Sequence, residues 1–216
     1  MPQVDMGVPR TAPSYPGFEA LYGVGGTARL RARIDANGNA ENVEVDQSSG
    51  SAVLDEAAMR VVRQWKFRPG HFDGKPASGT AIVPVSFRPS PLNVPRNWPA
   101  GYDHPHYNVV PLDAKFTTVD ALLADVMQRS KGKAPGDSLV TTYSVRSPQG
   151  ELLERWTFTD LGTPQAMAIR QVFSMVDGQP TVSVATFCDD HATCESRARF
   201  VAQGPLYATS STAPAP

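Results

Sequence analysis

Residues 27–46 read TARLRARIDANGNAENVEVD. From Thr27 to Asp35 the residues alternate without a break. Ala28, Leu30, Ala32 and Ile34 fall on one side, Arg29, Arg31 and Arg33 on the other. A period of two predicts a half-buried strand. Asn37-Gly38 follows, the strongest short hairpin signal. Behind it Val43 and Val45 alternate with Glu44 and Asp46, which predicts a second strand antiparallel to the first. The polar faces of the two strands set arginines against acids, and such cross-strand pairs contribute roughly 0.2–1 kcal/mol each. The arginine stripe is open to two readings, a solvated face stitched by ion pairs or an anion site, and the acidic neighbours quench the second.

Working outward, Ser48-Ser49-Gly50 breaks the second strand, and Leu54, Ala57, Ala58, Val61, Val62 and Trp65 recur at helical spacing. Asp55 and Glu56 in the first turn suit the positive end of the helix dipole. Pro69 ends any helix before it. Trp65 and Phe67 are expected as core anchors. Asp73-Gly74 turns the chain. Ala81, Val83, Val85 and Phe87 then alternate with Thr80, Ile82, Pro84 and Ser86, a third strand with a proline inside it. Proline cannot donate to a ladder, so such a strand is expected at a sheet edge. That edge can either accept an extended peptide through main-chain hydrogen bonds or simply be guarded by Pro84 against aggregation.

Taken in order, Tyr15-Pro16, the strand from Gly26 to Asp35, Asn37-Gly38, Ser48-Ser49-Gly50, Leu54-Asp55 with Ala57-Ala58, Trp65-Lys66-Phe67-Arg68-Pro69, Asp73-Gly74-Lys75-Pro76 and Val83-Pro84-Val85 with Phe87 form a specific set. The set resembles the C-terminal domain of the TonB energy-transducer family over about residues 14–88. The resemblance implies an α+β domain in which a three-stranded antiparallel sheet packs on a helix. It also implies a mechanism. Family members are anchored in the inner membrane of Gram-negative bacteria and work with a proton-driven motor complex. Their C-terminal domain grips the TonB-box peptide of outer-membrane transporters as an added strand, and pulling admits siderophores, cobalamin or similar ligands. Carried onto this sequence, the partner-binding residues are Thr80, Ala81, Ile82, Val83, Pro84, Val85, Ser86 and Phe87, with Tyr15 and Pro16 nearby. The family's membrane helix and long proline-rich spacer are not among these residues, so a tether to the inner membrane would come from a segment outside them. The stretch from Tyr15 to Gly26 is short and glycine-rich, and the helix after Tyr-Pro is expected to shrink to a turn or two.

The rest of the 216 residues adds a second unit. Residues 1–13 read as a flexible proline-containing lead and 89–106 as a proline-rich linker. His104 and His106 beside Asp103 read there as incidental rather than metal-binding. Thr117-Thr118-Val119-Asp120 opens a helix whose apolar face is Val119, Leu122, Leu123, Val126 and Met127, with Gly132 as its stop. Leu139, Thr141, Tyr143 and Val145 alternate. Ser147-Pro148-Gln149-Gly150 turns, and Leu152, Trp156 and Phe158 lie on the next run. Thr163-Pro164 opens a short helix or a turn. Asp177-Gly178 joins strands over about 169–176 and 181–187, and a last strand is expected over 195–201. This predicts a second α+β domain over 107–207, a helix on an antiparallel sheet, followed by a disordered tail over 208–216.

Cys188 and Cys194 pair most simply as a disulfide, hence an oxidising compartment, with free thiols or a metal site built with Asp189, Asp190 and His191 as alternatives. Twenty basic residues against 21 acidic ones exclude a whole-chain nucleic-acid footprint. No stretch approaches the roughly 18–20 apolar residues of a membrane helix. The N-terminus lacks the basic start and apolar core of a signal peptide, so a soluble chain without an address is expected. No nucleophile elbow, phosphate loop or H-E-x-x-H run is present, and Gly23 to Thr27 precedes a strand instead of opening a helix. The expectation is therefore a periplasmic binding protein with no catalytic residues, no cofactor and no metal. Its expected partners are outer-membrane transporters, the motor complex through an outside anchor, or a second copy paired through a sheet edge. The alternatives are a periplasmic scaffolding or assembly protein that uses the fold without energy transduction, and an enzyme with its site in the second unit.

Overall fold

The computed structural model describes residues 3–4, 11–90, 105–112, 115–136 and 138–205. These divide into two compact units, one of residues up to 89 without 20–23, the other of 20–23 and the residues after 89. The lead and the linker fall largely outside the described residues. The tail from 208, Asp103 and His104 fall wholly outside them.

Up to residue 89 the order is β1 (Gln3–Val4), α1 (Gly17–Leu21), β2 (Gly26–Ile34), β3 (Ala40–Gln47), α2 (Ala52–Val62), β4 (Phe67–Arg68), β5 (Gly70–Phe72), β6 (Lys75–Ala77) and β7 (Gly79–Phe87). The main sheet runs β3-β2-β7, antiparallel throughout, and β1 pairs with β4 while β5 and β6 form a small hairpin. The alternation of β2 is realised in full. Ala28, Leu30, Ala32 and Ile34 are buried, as are Leu54, Ala58 and Val62 of α2, which lies against β2, while the intervening arginines are exposed. Each large apolar side chain so buried stabilises the unit by roughly 1.5–3 kcal/mol.

The Asn-Gly hairpin closes in a form of its own. Asp35 holds the turn, its carboxylate accepting from the Asn37 and Asn39 backbone N–H groups at 2.8 and 2.7 Å. Only Gly38 is left-handed, at φ 81°, so the connection is a type I turn with a glycine bulge. Gly38 also lies against the next segment. Its carbonyl accepts from the Phe67 N–H at 2.9 Å, and a Cβ built on it would stand 2.1 Å from the Phe67 carbonyl oxygen. Ser51 caps α2 and buried Asp55 binds the Ser48 hydroxyl and the Ser49 N–H, so the serine-glycine break is a loop tied to the helix.

Two expectations are corrected here. The helix stops at Val62, short of the face expected to run to Trp65, and Trp65 lies beyond it, half-buried, with its indole N–H donating to the Thr11 carbonyl at 2.9 Å. Only Phe67 is a core anchor. The short strands β4, β5 and β6 carry too few residues for a period to register.

The second unit contains β8 (His106–Val109), α3 (Val119–Ser130), β9 (Val140–Arg146), β10 (Leu152–Thr159), β11 (Met167–Val176), β12 (Gln179–Cys188) and α4 (His191–Val201). Its sheet runs β8-β12-β11-β10-β9. α3 begins at Thr118 as expected, the side chain accepting from the Ala121 N–H at 3.2 Å. It ends in a Schellman closure, with Lys131 left-handed and the Gly132 N–H on the Met127 carbonyl at 3.1 Å. Val119, Leu122 and Val126 pack with Tyr143, Trp156 and Phe158. Asp177-Gly178 forms its hairpin with both residues left-handed, and Thr163-Pro164 is a turn.

The sheet is not wholly antiparallel, because β8 pairs parallel with β12, and it starts inside the expected linker at His106. The stretch over 195–201 is helix α4, not a strand. Asp190 caps it, accepting from the Thr193 N–H at 2.9 Å, and Arg197 is buried in an ion pair with Asp160 at 3.1 Å. The alternation of Glu195 to Val201 is misleading because Arg197 points into the interior, so polarity there does not report exposure.

Candidate functional site

β7 is an edge strand: among the described residues its only sheet neighbour is β2. Their register runs unbroken from Gly26 opposite Phe87 to Ile34 opposite Gly79, with Pro84 opposite Arg29. Proline has no N–H, so it sits in an intact ladder only where its nitrogen faces away from the partner strand. Backbone groups alternate in direction along a strand. The N–H and C=O groups of Thr80, Ile82 and Ser86, and the Pro84 carbonyl, therefore lie along the free edge, while Ala81, Val83 and Val85 bond to β2.

Side chains divide the same residues another way. Ala81, Val83, Val85 and Phe87 are core, and Thr80, Ile82, Pro84 and Ser86 are exposed, Ile82 at 45%. The eight residues expected to bind a partner thus form one strand, but Ala81, Val83, Val85 and Phe87 turn their side chains to the core and away from any partner. Tyr15 joins them at the Phe87 end. Its ring packs on Phe87 with centroids 5.5 Å apart, and its hydroxyl donates to the Val24 carbonyl at 2.8 Å. Burial, and then the negative charge of Glu19, raise the Tyr15 phenol above its usual value. Pro16 is half-buried and leads into α1, a five-residue helix, matching the expected shrinkage to a turn or two.

The arginine stripe is the stitched face. Arg29 and Arg31 pair with Asp46, and Arg33 pairs with Glu41 at 3.1 Å. These exposed pairs are worth about 0–1 kcal/mol each. Cys188 and Cys194 form a disulfide that ties the end of β12 to the first turn of α4. The neighbouring acids are used as caps: Asp189 accepts from the Val119 N–H at 2.6 Å, and Asp190 caps α4. Among the described residues no group of three or more His, Cys, Asp or Glu is placed to hold a metal.

One feature of the second unit escaped the sequence. A cleft opens beside α3, walled by Leu112, Phe116, Leu122 and Trp156 and edged by Arg129, Glu154 and Arg170. Leu122 and Trp156 are legible as apolar-face positions. The three charged residues come from three elements, and no local spacing joins them.

The family of the Gram-negative bacterial TonB protein C-terminal domain matches residues 11–89. Protein TonB of Xanthomonas campestris pv. campestris is 44% identical over 75 residues, 35% of this chain and 34% of that protein. Protein tonB2 of Pseudomonas aeruginosa is 36% identical over 77 residues, 36% of this chain and 28% of the relative. Protein TonB of Vibrio cholerae is 34% identical over 76 residues, 35% of this chain and 31% of the relative. The matched part therefore spans about a third of the length of these curated relatives, and the family match ends where the second unit begins.

Proposed function

We propose that the first unit is the peptide-gripping end of a periplasmic energy transducer, and that β7 takes up the TonB-box segment of an outer-membrane transporter as a fourth strand. The observation that carries this is the unbroken β2–β7 ladder with Pro84 in it, which leaves a register of outward backbone groups at Thr80, Ile82 and Ser86. A peptide laid there forms main-chain hydrogen bonds whatever its side chains, each worth a net of about 0.5–1.5 kcal/mol. Tension on the peptide loads those bonds in shear. The nine-residue β7 passes it to β2 over its whole length. Tyr15 braces the Phe87 end.

The partners in this reading are the transporter, whose cargo is a siderophore, cobalamin or a similar ligand, and a proton-driven motor complex reached through an inner-membrane tether outside these residues. A disulfide fits the oxidising periplasm. The matched relatives are named Protein TonB and Protein tonB2, and that supports the same assignment.

Titration calorimetry of the whole chain with peptides from transporter N-terminal segments tests the proposal. Ile82→Pro removes one outward donor without touching the β2 ladder, and it is expected to weaken binding about two- to tenfold. Equal binding by the variant rules out strand addition at β7. The second unit, beyond the family match over 11–89, favours one other reading, a scaffolding or assembly role for the same fold, which leads if no peptide binds. A second copy pairing on β7 would appear instead as concentration-dependent dimerisation that the peptide displaces.

A further inference from the structure

We propose that β9, the outer strand of the second unit's sheet, pairs antiparallel with β9 of a second copy of this chain, an association independent of the peptide grip on β7. Among the described residues the two larger sheets end in four edge strands, β3, β7, β8 and β9. Natural sheets guard such edges with charge, proline, irregular register or short length. β3 carries Glu41, Glu44 and Asp46 and two shifts in its register against β2. β7 carries Pro84, and β8 has only four residues. β9 has none of these guards. Val140 to Val145 read VTTYSV, without proline or charge, and Arg146 is the first charged residue. From Val140 to Arg146 no β9 residue is skipped in the pairing with β10. β-Branched and aromatic residues of this kind favour a paired strand.

Local bonds fix which backbone groups face the open edge. Just before β9, the Leu139 carbonyl accepts from the Asp160 N–H at 3.2 Å. Alternation then turns the N–H and C=O groups of Thr141, Tyr143 and Val145 toward β10, and those of Val140, Thr142 and Ser144 outward. The bonding of Val140 agrees with this. The Ser138 hydroxyl donates to its carbonyl at 2.7 Å and accepts from its N–H at 3.4 Å. Thr142 and Ser144 are left as the outward positions in mid-strand.

The same sequence, reversed, is the complement of this edge. With a twofold axis at Tyr143, Thr142 exchanges both backbone bonds with the partner's Ser144, and the exchange recurs on the other side of the axis. The side chains agree with that register. Thr141 meets the partner's Val145, a β-branched pair, and Thr142 meets the partner's Ser144, a hydroxyl pair, and both kinds stabilise a sheet. Arg146 lies opposite the partner's Val140, so no like charges are opposed. Thr141 and Val145 are half-buried on either side of buried Tyr143, with Val145 packed against the α3 core. A strand added here covers the exposed part of both and extends that core across the joint. β9 offers no charge before Arg146 for a charged foreign strand to read, which favours the uncharged, twofold-matched copy.

Sedimentation velocity and amide hydrogen exchange of the whole chain, from micromolar to millimolar concentration, test the pairing. A monomer–dimer equilibrium is expected, with protection at Thr142 and Ser144 rising with concentration. The Tyr143 amide, bonded to β10, stays protected throughout, and those of Ile82 and Ser86 on β7 stay unprotected. Thr142→Pro keeps the β10 ladder, as Pro84 keeps the ladder of β7, and removes one outward donor from each copy. It is expected to weaken dimerisation about fivefold or more, while Ile82→Pro leaves it unchanged. The exchange comparison on the unaltered protein stands even if Thr142→Pro does not fold. A chain that stays monomeric at millimolar concentration overturns the proposal, as does a folded Thr142→Pro protein that dimerises as before. A dimer in which Thr142 and Ser144 stay unprotected assigns the contact to another surface and also overturns it. Protection of these amides at every concentration does the same, because the edge is then covered within one chain.

Discussion

Pro84 stands opposite Arg29 in the middle of an antiparallel ladder that is continuous on both sides of it. A residue with no N–H interrupts such a ladder only if its nitrogen faces the partner strand, so here it faces the open edge. Pro84→Ala should add one donor to that edge and leave the fold unchanged within about 1 kcal/mol, the scale of strand propensities. Hydrogen exchange checks this directly. The new amide at position 84 is expected to exchange freely in the protein alone, as are those of Ile82 and Ser86, while Val83 and Val85 are protected. Protection of that new amide would put the nitrogen against β2 and reverse the register of the grip.

Gly38 and Gly74 are both left-handed, at φ 81° and 73°, yet they are expected to differ in tolerance. A methyl group at Gly74 meets nothing within 4 Å, whereas at Gly38 it meets the Phe67 carbonyl oxygen at 2.1 Å. Gly74→Ala should cost about 1–2 kcal/mol, the penalty of an L-residue in that conformation. Gly38→Ala adds a backbone collision and threatens the bond from the Phe67 N–H, so it should cost about 3 kcal/mol or more. Urea denaturation of the two variants orders them, and equal losses would mean that the hairpin and β4 do not abut.

Burial pushes the Glu154 carboxyl upward, but the hydrogen bonds from Arg170, Trp156 and Arg129 together outweigh it and hold its folded value below the ordinary 4.5. A depressed folded value means that the unfolded chain binds the proton first as pH falls. The stability owed to Glu154 is therefore complete above about pH 4.5 and drains away as pH falls through the lower folded value. Glu154→Gln should flatten that part of the stability profile and leave its slope at neutral pH unchanged. An unaltered acid limb would contradict the saturation of this carboxylate.

The disulfide joins residues six apart in sequence, so it restrains a short loop and is expected to contribute about 2 kcal/mol by chain entropy. Replacing both cysteines by serine should lower the second unit's stability by that amount and loosen α4 first. The buried Arg197–Asp160 pair makes a second anchor for this helix. Arg197→Met should cost more, about 3–5 kcal/mol, because it leaves a buried carboxylate without its cation. Thermal melts followed by hydrogen exchange in 191–201 separate the two contributions.

The first unit is legible because its signals are local and redundant. Alternation from Ala28 to Ile34, a turn at Gly38, an apolar helical face from Leu54 to Val62 and a proline in β7 each point to the same α+β unit, and their order carries the resemblance that the family match over 11–89 supports. Trp65 misleads because its spacing continues the helical face for one turn after the backbone has left the helix. In the second unit, Thr118 and Asp177-Gly178 announce themselves through cap and turn chemistry. α4 does not, because its buried face is built on Thr193, Arg197 and Val201 instead of an apolar stripe. β8 lacks any signature of its own, since a four-residue strand with exposed His106 and Asn108 is defined only by its pairing with β12. The Arg129–Glu154–Arg170 cluster depends on the register of β10 against β11 and on the packing of α3, both of which are tertiary facts.

The most direct measurement is backbone-amide NMR of the whole chain during titration with an extended peptide from a transporter N-terminal segment. Strand addition at β7 predicts saturable shifts at Thr80, Ile82 and Ser86, new cross-strand contacts from those residues to the peptide backbone, and much smaller changes at Ala81 and Val83. Shifts that spare these outward amides, or none at millimolar peptide, would contradict the grip on β7 and leave the fold without the transducer function.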